Sequence, residues 1–243
     1  MKVLGVAGPS DSGKTTVVAG LAARLSHRGT VGTMKRLTHD PDIDTDGKDT
    51  ARHREAGSAR TAGVTDDGDW FSTGDRWTLE DMLDDFAREC DYVLVEGFSE
   101  SRLPKVSLGD RSTAPPVVTT AADADDLDLG EVTDIIETLP SYETPASLVV
   151  ELRGSLESGD REGIATSTVP VAELALTDDV TTRVDAANRR LRSVDGIREA
   201  RVHHQQSLFD ELDDVVHLVV LADDTARANE AIGEAIERLF TAA

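Results

Sequence analysis

The feature that most constrains this chain lies at its start. An apolar run, Lys2–Ala7, leads into Gly8-Pro9-Ser10-Asp11-Ser12-Gly13-Lys14-Thr15, and apolar residues then recur at Val17, Val18, Leu21 and Leu25. The run is strand-like, and the i, i+1, i+4, i+8 spacing that follows marks one face of a helix. The octapeptide between them matches G-x-x-x-x-G-K-[ST], the phosphate-binding loop, in the strand–loop–helix setting that motif requires. Gly8 and Gly13 let the backbone turn so that successive N–H groups point at phosphate oxygens, and the helix N-terminus adds partial positive charge. Lys14 is placed to reach the β- and γ-phosphates, and the Thr15 hydroxyl to ligate Mg²⁺. Ser10, Asp11, Ser12 and Thr16 complete the expected cradle, with the Asp11 carboxylate turned to solvent while its N–H serves the anion.

Further along, apolar and polar patterns alternate. Val31–Lys35 and residues 92–95 read as strands, with residues 49–62 as a polar helix and 78–88 as a second one. Lys105–Leu108 and residues 116–119 add strands, and residues 131–139 a closing helix. Strands alternating with helices imply a mostly parallel sheet covered on both faces, an α/β P-loop fold. Pro140 and Pro145 bracket a polar stretch, so residues 1–140 are expected to form a nucleotide-binding domain, 141–146 a linker and 147–243 a small α+β module. In that module residues 148–152, 198–203 and Val215–Ala222 read as strands, and residues 178–191 and Thr225–Phe240 as helices.

Charge narrows the partners. The chain carries 25 Lys+Arg against 47 Asp+Glu, a formal net charge of −22, and acidic pairs are spread along its length rather than gathered in one tail. Such a surface suits a protein kept hydrated where salt screens its charges, which points to the cytoplasm of a salt-loving organism. A nucleic-acid partner needs a basic stripe, and none is visible. The N-terminus lacks a signal-peptide pattern and no apolar stretch approaches a membrane span, so neither secretion nor a membrane partner is expected. Cys90 is the single cysteine, which excludes a disulfide framework and a thiol-built metal cluster; a small core residue is expected there, and packing roles for Trp70 and Trp77.

Scarcity makes the lysines informative. They stand at positions 2, 14, 35, 48 and 105 only, and four of these fall within motifs. Tyr92-Val93-Leu94-Val95-Glu96-Gly97 is an apolar strand ending in an acid, and Glu96 is the candidate to hold Mg²⁺ or polarise an attacking water. Lys14 and Glu96 are therefore the candidate catalytic pair, and Thr15 and Glu96 the candidate metal ligands. Lys35, Lys48, Arg52 and Lys105 are candidates to surround a triphosphate or second anion in an otherwise repulsive acidic field. His39 and Asp44 have a spacing open to a metal, an acid–base pair or a structural role.

Several runs in order resemble the molybdopterin-guanine dinucleotide biosynthesis protein B family. They are the phosphate loop, Lys35-Arg36-Leu37-Thr38-His39 with Asp44, Gly47-Lys48-Asp49-Thr50-Ala51-Arg52-His53-Arg54-Glu55-Ala56-Gly57, Val95-Glu96-Gly97-Phe98, and Pro104-Lys105. The resemblance covers about residues 1–140. It implies a GTP-binding accessory protein with weak GTPase turnover, Mg²⁺ as cofactor, a homodimer, and molybdopterin or its nucleotidyltransferase as partner. Through it Lys48, Asp49 and Arg52 are assigned to the nucleotide site. No N-K-x-D guanine-reading motif is present, so GTP preference rests on the resemblance; residues 120–123 follow a strand and are candidates to read the base.

The part from about residue 146, with Val202-His203-His204-Gln205, resembles a fragment of the molybdopterin synthase catalytic subunit. No lysine follows Lys105, so the cations that family uses are missing and a degenerate module or oligomerisation platform is expected. A lone-histidine reading makes His203 and His204 structural. Two other functions fit the same motifs: a small-molecule kinase, which would use arginines between Arg52 and Arg60 as a lid, and a nucleotide-switched scaffold for cofactor enzymes.

Overall fold

A computed structural model gives the architecture, describing residues 1–37, 49–74, 77–110, 112–156, 163–174, 180–209 and 213–240. The N-terminal part runs β1 (Lys2–Ala7), α1 (Lys14–Leu25), β2 (Val31–Lys35), α2 (Asp49–Glu55), β3 (Arg60–Val64), β4 (Trp70–Gly74), α3 (Leu79–Phe86), β5 (Tyr92–Glu96), β6 (Lys105–Leu108), β7 (Val117–Ala121) and α4 (Leu129–Thr138). The C-terminal part runs α5 (Pro145–Gly154), β8 (Gly163–Pro170), a single 3₁₀ turn, α6 (Val180–Leu191), β9 (Ile197–Gln205), β10 (Val215–Ala222) and α7 (Thr225–Phe240).

The first sheet has the order β2-β5-β1-β6-β7, and every pairing in it is parallel. Residue alternation divides its side chains between two layers. Leu4, Val6, Tyr92 and Leu94 pack with α1 and α4, whereas Val3, Met34, Val93 and Val95 pack with α3. This is the parallel sheet covered on both faces that the sequence predicts, with the phosphate loop joining β1 to α1. Helix α3 is fixed at its start by a capping box in which Thr78 and Asp81 exchange hydrogen bonds.

Three expectations are corrected. The helix expected over residues 49–62 stops at Glu55, beside Gly57, whose N–H bonds the Arg54 carbonyl; the chain then forms the antiparallel hairpin β3–β4. Trp70 is not a packing anchor: it lies on that hairpin, opposite Val64, and is 67% exposed. Residues 148–152, expected as a strand, belong to helix α5. Thr144 and Ser147 form its capping box with Pro145 in the first turn, Leu148 and Leu152 are buried one turn apart, and Val150 between them is 64% exposed. A strand would have put Leu148, Val150 and Leu152 on one face.

The C-terminal sheet, ordered β8-β10-β9, is antiparallel. Its central strand β10 is buried on both sides. Val216, Leu218 and Val220 meet α6 and α7, while Val219 and Leu221 meet Leu148 and Leu152 of α5. Strand β8 is absent from the sequence reading because Gly163–Pro170 is rich in Ser, Thr and Ala, with only Ala165 and Val169 as well-buried apolar anchors.

The two parts share a core. Leu208 packs among Val3, Leu103 and Tyr142, and its carbonyl accepts from the Arg102 N–H at 2.7 Å. The stretch after Pro140 is pinned: Ser141 bridges to Lys2, the Tyr142 N–H bonds the Met1 carbonyl at 2.8 Å, and the Tyr142 hydroxyl donates to Asp84 at 2.7 Å. Among the described residues no helix is long and apolar enough to cross a membrane. Because Leu208 is a plug from one part in the core of the other, Leu208→Ala should destabilise the protein by about 2–5 kcal/mol. The denaturant midpoint should fall with an unchanged slope; an unmoved midpoint would show that the shared packing contributes nothing.

Candidate functional site

Parallel register brings the site together. Val6 of β1 and Lys35 of β2 both pair with Glu96 of β5, so the ends of three strands meet where the chain leaves β1 for the phosphate loop. Ligands of parallel sheets gather at this carboxyl edge. Alternation settles direction: Met34 and Val95 face α3, so Lys35 and Glu96 project to the α1 side, toward the first turn of that helix.

The loop is shaped as a phosphate cradle requires. Gly13 has φ 83° and a Cβ there would stand 2.4 Å from that of Ala124. At Gly8 a Cβ would approach the Leu108 carbonyl oxygen and Ser12 Oγ to 2.8 Å. Neither position accepts another residue without movement. Asp11 has φ 63° and is exposed, the arrangement expected for its carboxylate. Ser12 is buried and its hydroxyl donates to the Pro9 carbonyl at 3.0 Å; the Lys14 ammonium donates to the same oxygen. Gly13 gives α1 no side-chain cap, leaving its first N–H groups for a ligand.

Beside the loop is a charged cluster. Thr15 Oγ1 donates to Glu96 Oε2 at 2.9 Å, Lys35 Nζ lies 2.9 Å from Glu96 Oε1, and the same ammonium donates to Thr15 Oγ1 at 3.3 Å. Glu96 is 7% exposed, whereas the Lys35 side chain is 53% exposed. Both border a cavity of about 750 Å³ with Gly8, Ser10, Asp11, Gly13, Lys14 and Thr15. Arg36, Gly97, Phe98 and Ser99 also line it. Phe98 has φ 50°, unusual for a bulky residue, and the Arg36 guanidinium lies over its ring at 5.5 Å while pairing with Glu100.

The donor set fits Mg²⁺. Thr15 and Glu96 bring a hydroxyl and a carboxylate, hard oxygen donors of the kind Mg²⁺ takes, together at the edge of the cavity, and these two residues would hold the ion.

With this geometry in view, comparison with known proteins is decisive for the family. Residues 3–127 match the family described as molybdopterin guanine dinucleotide synthesis protein B, MobB. The chain belongs to the MobB family. This MobB-family chain is also 30% identical over 253 aligned residues to a protein of Haloferax volcanii described as a probable molybdopterin synthase, an alignment covering 98% of this chain and 92% of that one. It is 33% identical to the molybdopterin-guanine dinucleotide biosynthesis adapter protein of Escherichia coli over 44% of this chain and 64% of that one. The crystal structure of Bacillus subtilis MobB superposes with a TM-score of 0.43 and 23% identity, covering 59% of this chain and all of that one.

Several residues expected at the site stand elsewhere. Lys105 does not border the cavity: it is fully buried, its ammonium donating to the carbonyls of Ser101 at 2.5 Å and Ala114 at 2.8 Å. Asp49 and Arg52 sit on α2, mostly exposed and 4.0 Å apart, outside the cavity lining. Ser12 and Thr16 are in or beside the loop without lining the cavity. His39, Asp44 and Lys48 lie outside the described residues. Arg36 and Phe98, which fall in the runs that carry the family resemblance, and Ser99 line the cavity without being among the expected site residues; Arg36 follows Lys35 directly, and Phe98 and Ser99 lie two and three residues beyond Glu96. Cys90 is half-buried against the α3 layer, which raises its thiol pKa. His204 bonds Asp214 at 3.0 Å and His203 approaches Gln205 at 3.4 Å, local pairings that need no ligand.

Burial pushes the Lys105 ammonium down to about 8, with the Glu100 charge opposing. The neutral amine retains two N–H donors for its two carbonyls. Between that value and 10.5 the unfolded chain holds a proton the folded one has released, so stability should rise with pH across the window. Compared with Lys105→Met under urea denaturation, the native protein should gain up to about 1.4 kcal/mol per pH unit above pH 8. A falling difference across that range would contradict the assignment of a desolvated ammonium.

Proposed function

We propose that the N-terminal part binds GTP with Mg²⁺ and hydrolyses it slowly, as an adapter in molybdenum cofactor biosynthesis that assists attachment of a guanine nucleotide to molybdopterin. The observation that carries this reading is the cradle with Thr15 and Glu96 joined at its mouth, in a chain of the MobB family. Phosphoryl transfer depends mainly on positioning and charge stabilisation. Here Lys14 supplies the cation for the phosphates, the amides of the loop and of α1 wrap them, and Thr15 and Glu96 would hold the metal. Mg²⁺, when bound, neutralises charge on the phosphate oxygens. The guanine preference follows the family's description, and the alternative of an ATP-using small-molecule kinase is distinguished by titration.

The same reading takes molybdopterin or its nucleotidyltransferase as partner and a homodimer as the working unit. The paired Val64 and Trp70 on the β3–β4 hairpin, both largely exposed, offer apolar surface for such pairing. The acidic composition supports a protein working in salt-rich cytoplasm.

A second reading has one observation behind it. The Haloferax volcanii relative covers nearly all of this chain, which favours molybdopterin synthase activity in the C-terminal part over a degenerate module. Against it stands the absence of lysine after Lys105. Conversion of a pterin precursor to molybdopterin by the purified chain with a sulfur donor would establish the second reading, and its absence would favour the degenerate module.

Lys14→Ala should abolish GTP binding in calorimetry, a loss of at least about 100-fold for a charge-assisted phosphate contact, with the far-ultraviolet dichroism unchanged. Undiminished affinity would remove the phosphate-site assignment, and a clear preference for ATP in the native protein would move the reading to a kinase.

A further inference from the structure

The cluster at the mouth of the cradle holds one group too many. Thr15 has a single hydroxyl proton, directed at Glu96 Oε2, and Lys35 Nζ donates to the oxygen lone pairs that remain. The same ammonium takes Glu96 Oε1 at 2.9 Å. Lys35 therefore engages both donors that fit the metal. A magnesium ion needs those lone pairs itself, with water and phosphate filling its other positions. Two cations in contact with one carboxylate also repel.

The two partners differ in freedom. Glu96 is buried at the end of a strand paired on both sides, while Lys35 lies on the edge strand β2 with about half its side chain in solvent. When the metal arrives, Lys35 is the group that can move, and the cavity bordered by Ser10, Lys14 and Thr15 is within reach of its flexible stem.

We propose that in the nucleotide-free protein the Lys35 ammonium holds the place of the divalent cation, and that metal entry displaces it onto the terminal phosphate of the bound nucleotide. The proposal rests on the reading of this site as a Mg²⁺–triphosphate site. Lys35 is thus a positioning residue for Glu96 before nucleotide binds and a phosphate ligand afterwards. It keeps Glu96 neutralised until a nucleotide brings its own metal, and so opposes binding of free divalent ions by an acidic protein.

The test uses the nucleotide-free full chain at constant high KCl, with Mn²⁺ as a probe counted by electron paramagnetic resonance. Lys35→Met should bind the site's Mn²⁺ at least about fivefold more tightly than the native protein, the lower range of a competitive coupling. Lys35→Arg, which keeps the charge, should stay near the native value. Glu96→Gln should lose the site, separating it from loose binding at surface carboxylates. In the presence of Mg²⁺, Lys35→Met should bind GTP at least about fivefold more weakly, since a phosphate ligand is gone. Unchanged or weaker Mn²⁺ binding by Lys35→Met would overturn the proposal, as would Mn²⁺ binding untouched by Glu96→Gln. Failure of the native protein to bind GTP would instead overturn the functional reading, because the Mn²⁺ competition is measured without nucleotide.

Discussion

The site depends on the parallel placement of β5 between β1 and β2. That register sets Glu96 level with Lys35 on one side and with Val6, just before the phosphate loop, on the other. It is held from both faces, since Tyr92 and Leu94 are packed under α1 while Val93 and Val95 are packed under α3. A slip of one residue would exchange these faces and turn Glu96 away from Thr15. The hydrophobic layers thus help to fix the positions of charges they do not touch.

On a chain with a net charge of −22, each described lysine has a defined partner. Lys2 donates to the Leu139 carbonyl, Lys14 to that of Pro9, Lys105 to those of Ser101 and Ala114, and Lys35 to Thr15 and Glu96. An ammonium is a compact charge with three donors that can turn toward converging carbonyls. A guanidinium is planar and can stack flat on an aromatic ring. Arg36 and Arg60 use that plane, lying over the rings of Phe98 and Trp77. The scarce lysines are informative because each described one is held by a defined partner, and not all of those partners border the phosphate-loop cavity.

Where local sequence and tertiary packing agreed, the fold was legible. Lys2–Ala7, Val31–Lys35, Lys105–Leu108, Val215–Ala222 and Thr225–Phe240 have the bounds that their patterns imply. The misread elements are those whose decisive signal is not periodicity. In α5 the apolar run Leu148-Val149-Val150 looks like a strand, and only the Thr144–Ser147 cap and Pro145 mark a helix. In β8 a polar composition hides a strand that exists because β10 needs a partner on that edge. At the site, Gly8, Ser10, Asp11, Gly13, Lys14, Thr15, Lys35 and Glu96 converge on one cavity. Lys105 was misplaced because sequence shows a rare cation near a motif without showing which way the strand turns it. Register puts Lys105 beside Gly5, within the sheet's interior, where a cavity-facing role is impossible.

That displacement of Lys105 gives the buried lysine a different significance. The segment after β5 carries Phe98 and Ser99 into the cavity wall, then ends at Ser101, whose carbonyl Lys105 holds. Ser99 is tied in turn to Ala114 through its carbonyl, and Ala114 offers its own carbonyl to Lys105. One residue beyond Ser101, the Arg102 N–H bonds Leu208 in the C-terminal part. A short stretch of backbone therefore borders the phosphate-loop cavity at one end and the shared core at the other, with a buried cation fastening the middle. Contiguity of this kind transmits a change only if the segment has two discrete arrangements. The left-handed conformation of Phe98, whose carbonyl accepts from both the N–H and the hydroxyl of Ser101, is the strained point along it where such an alternative would have to be stored.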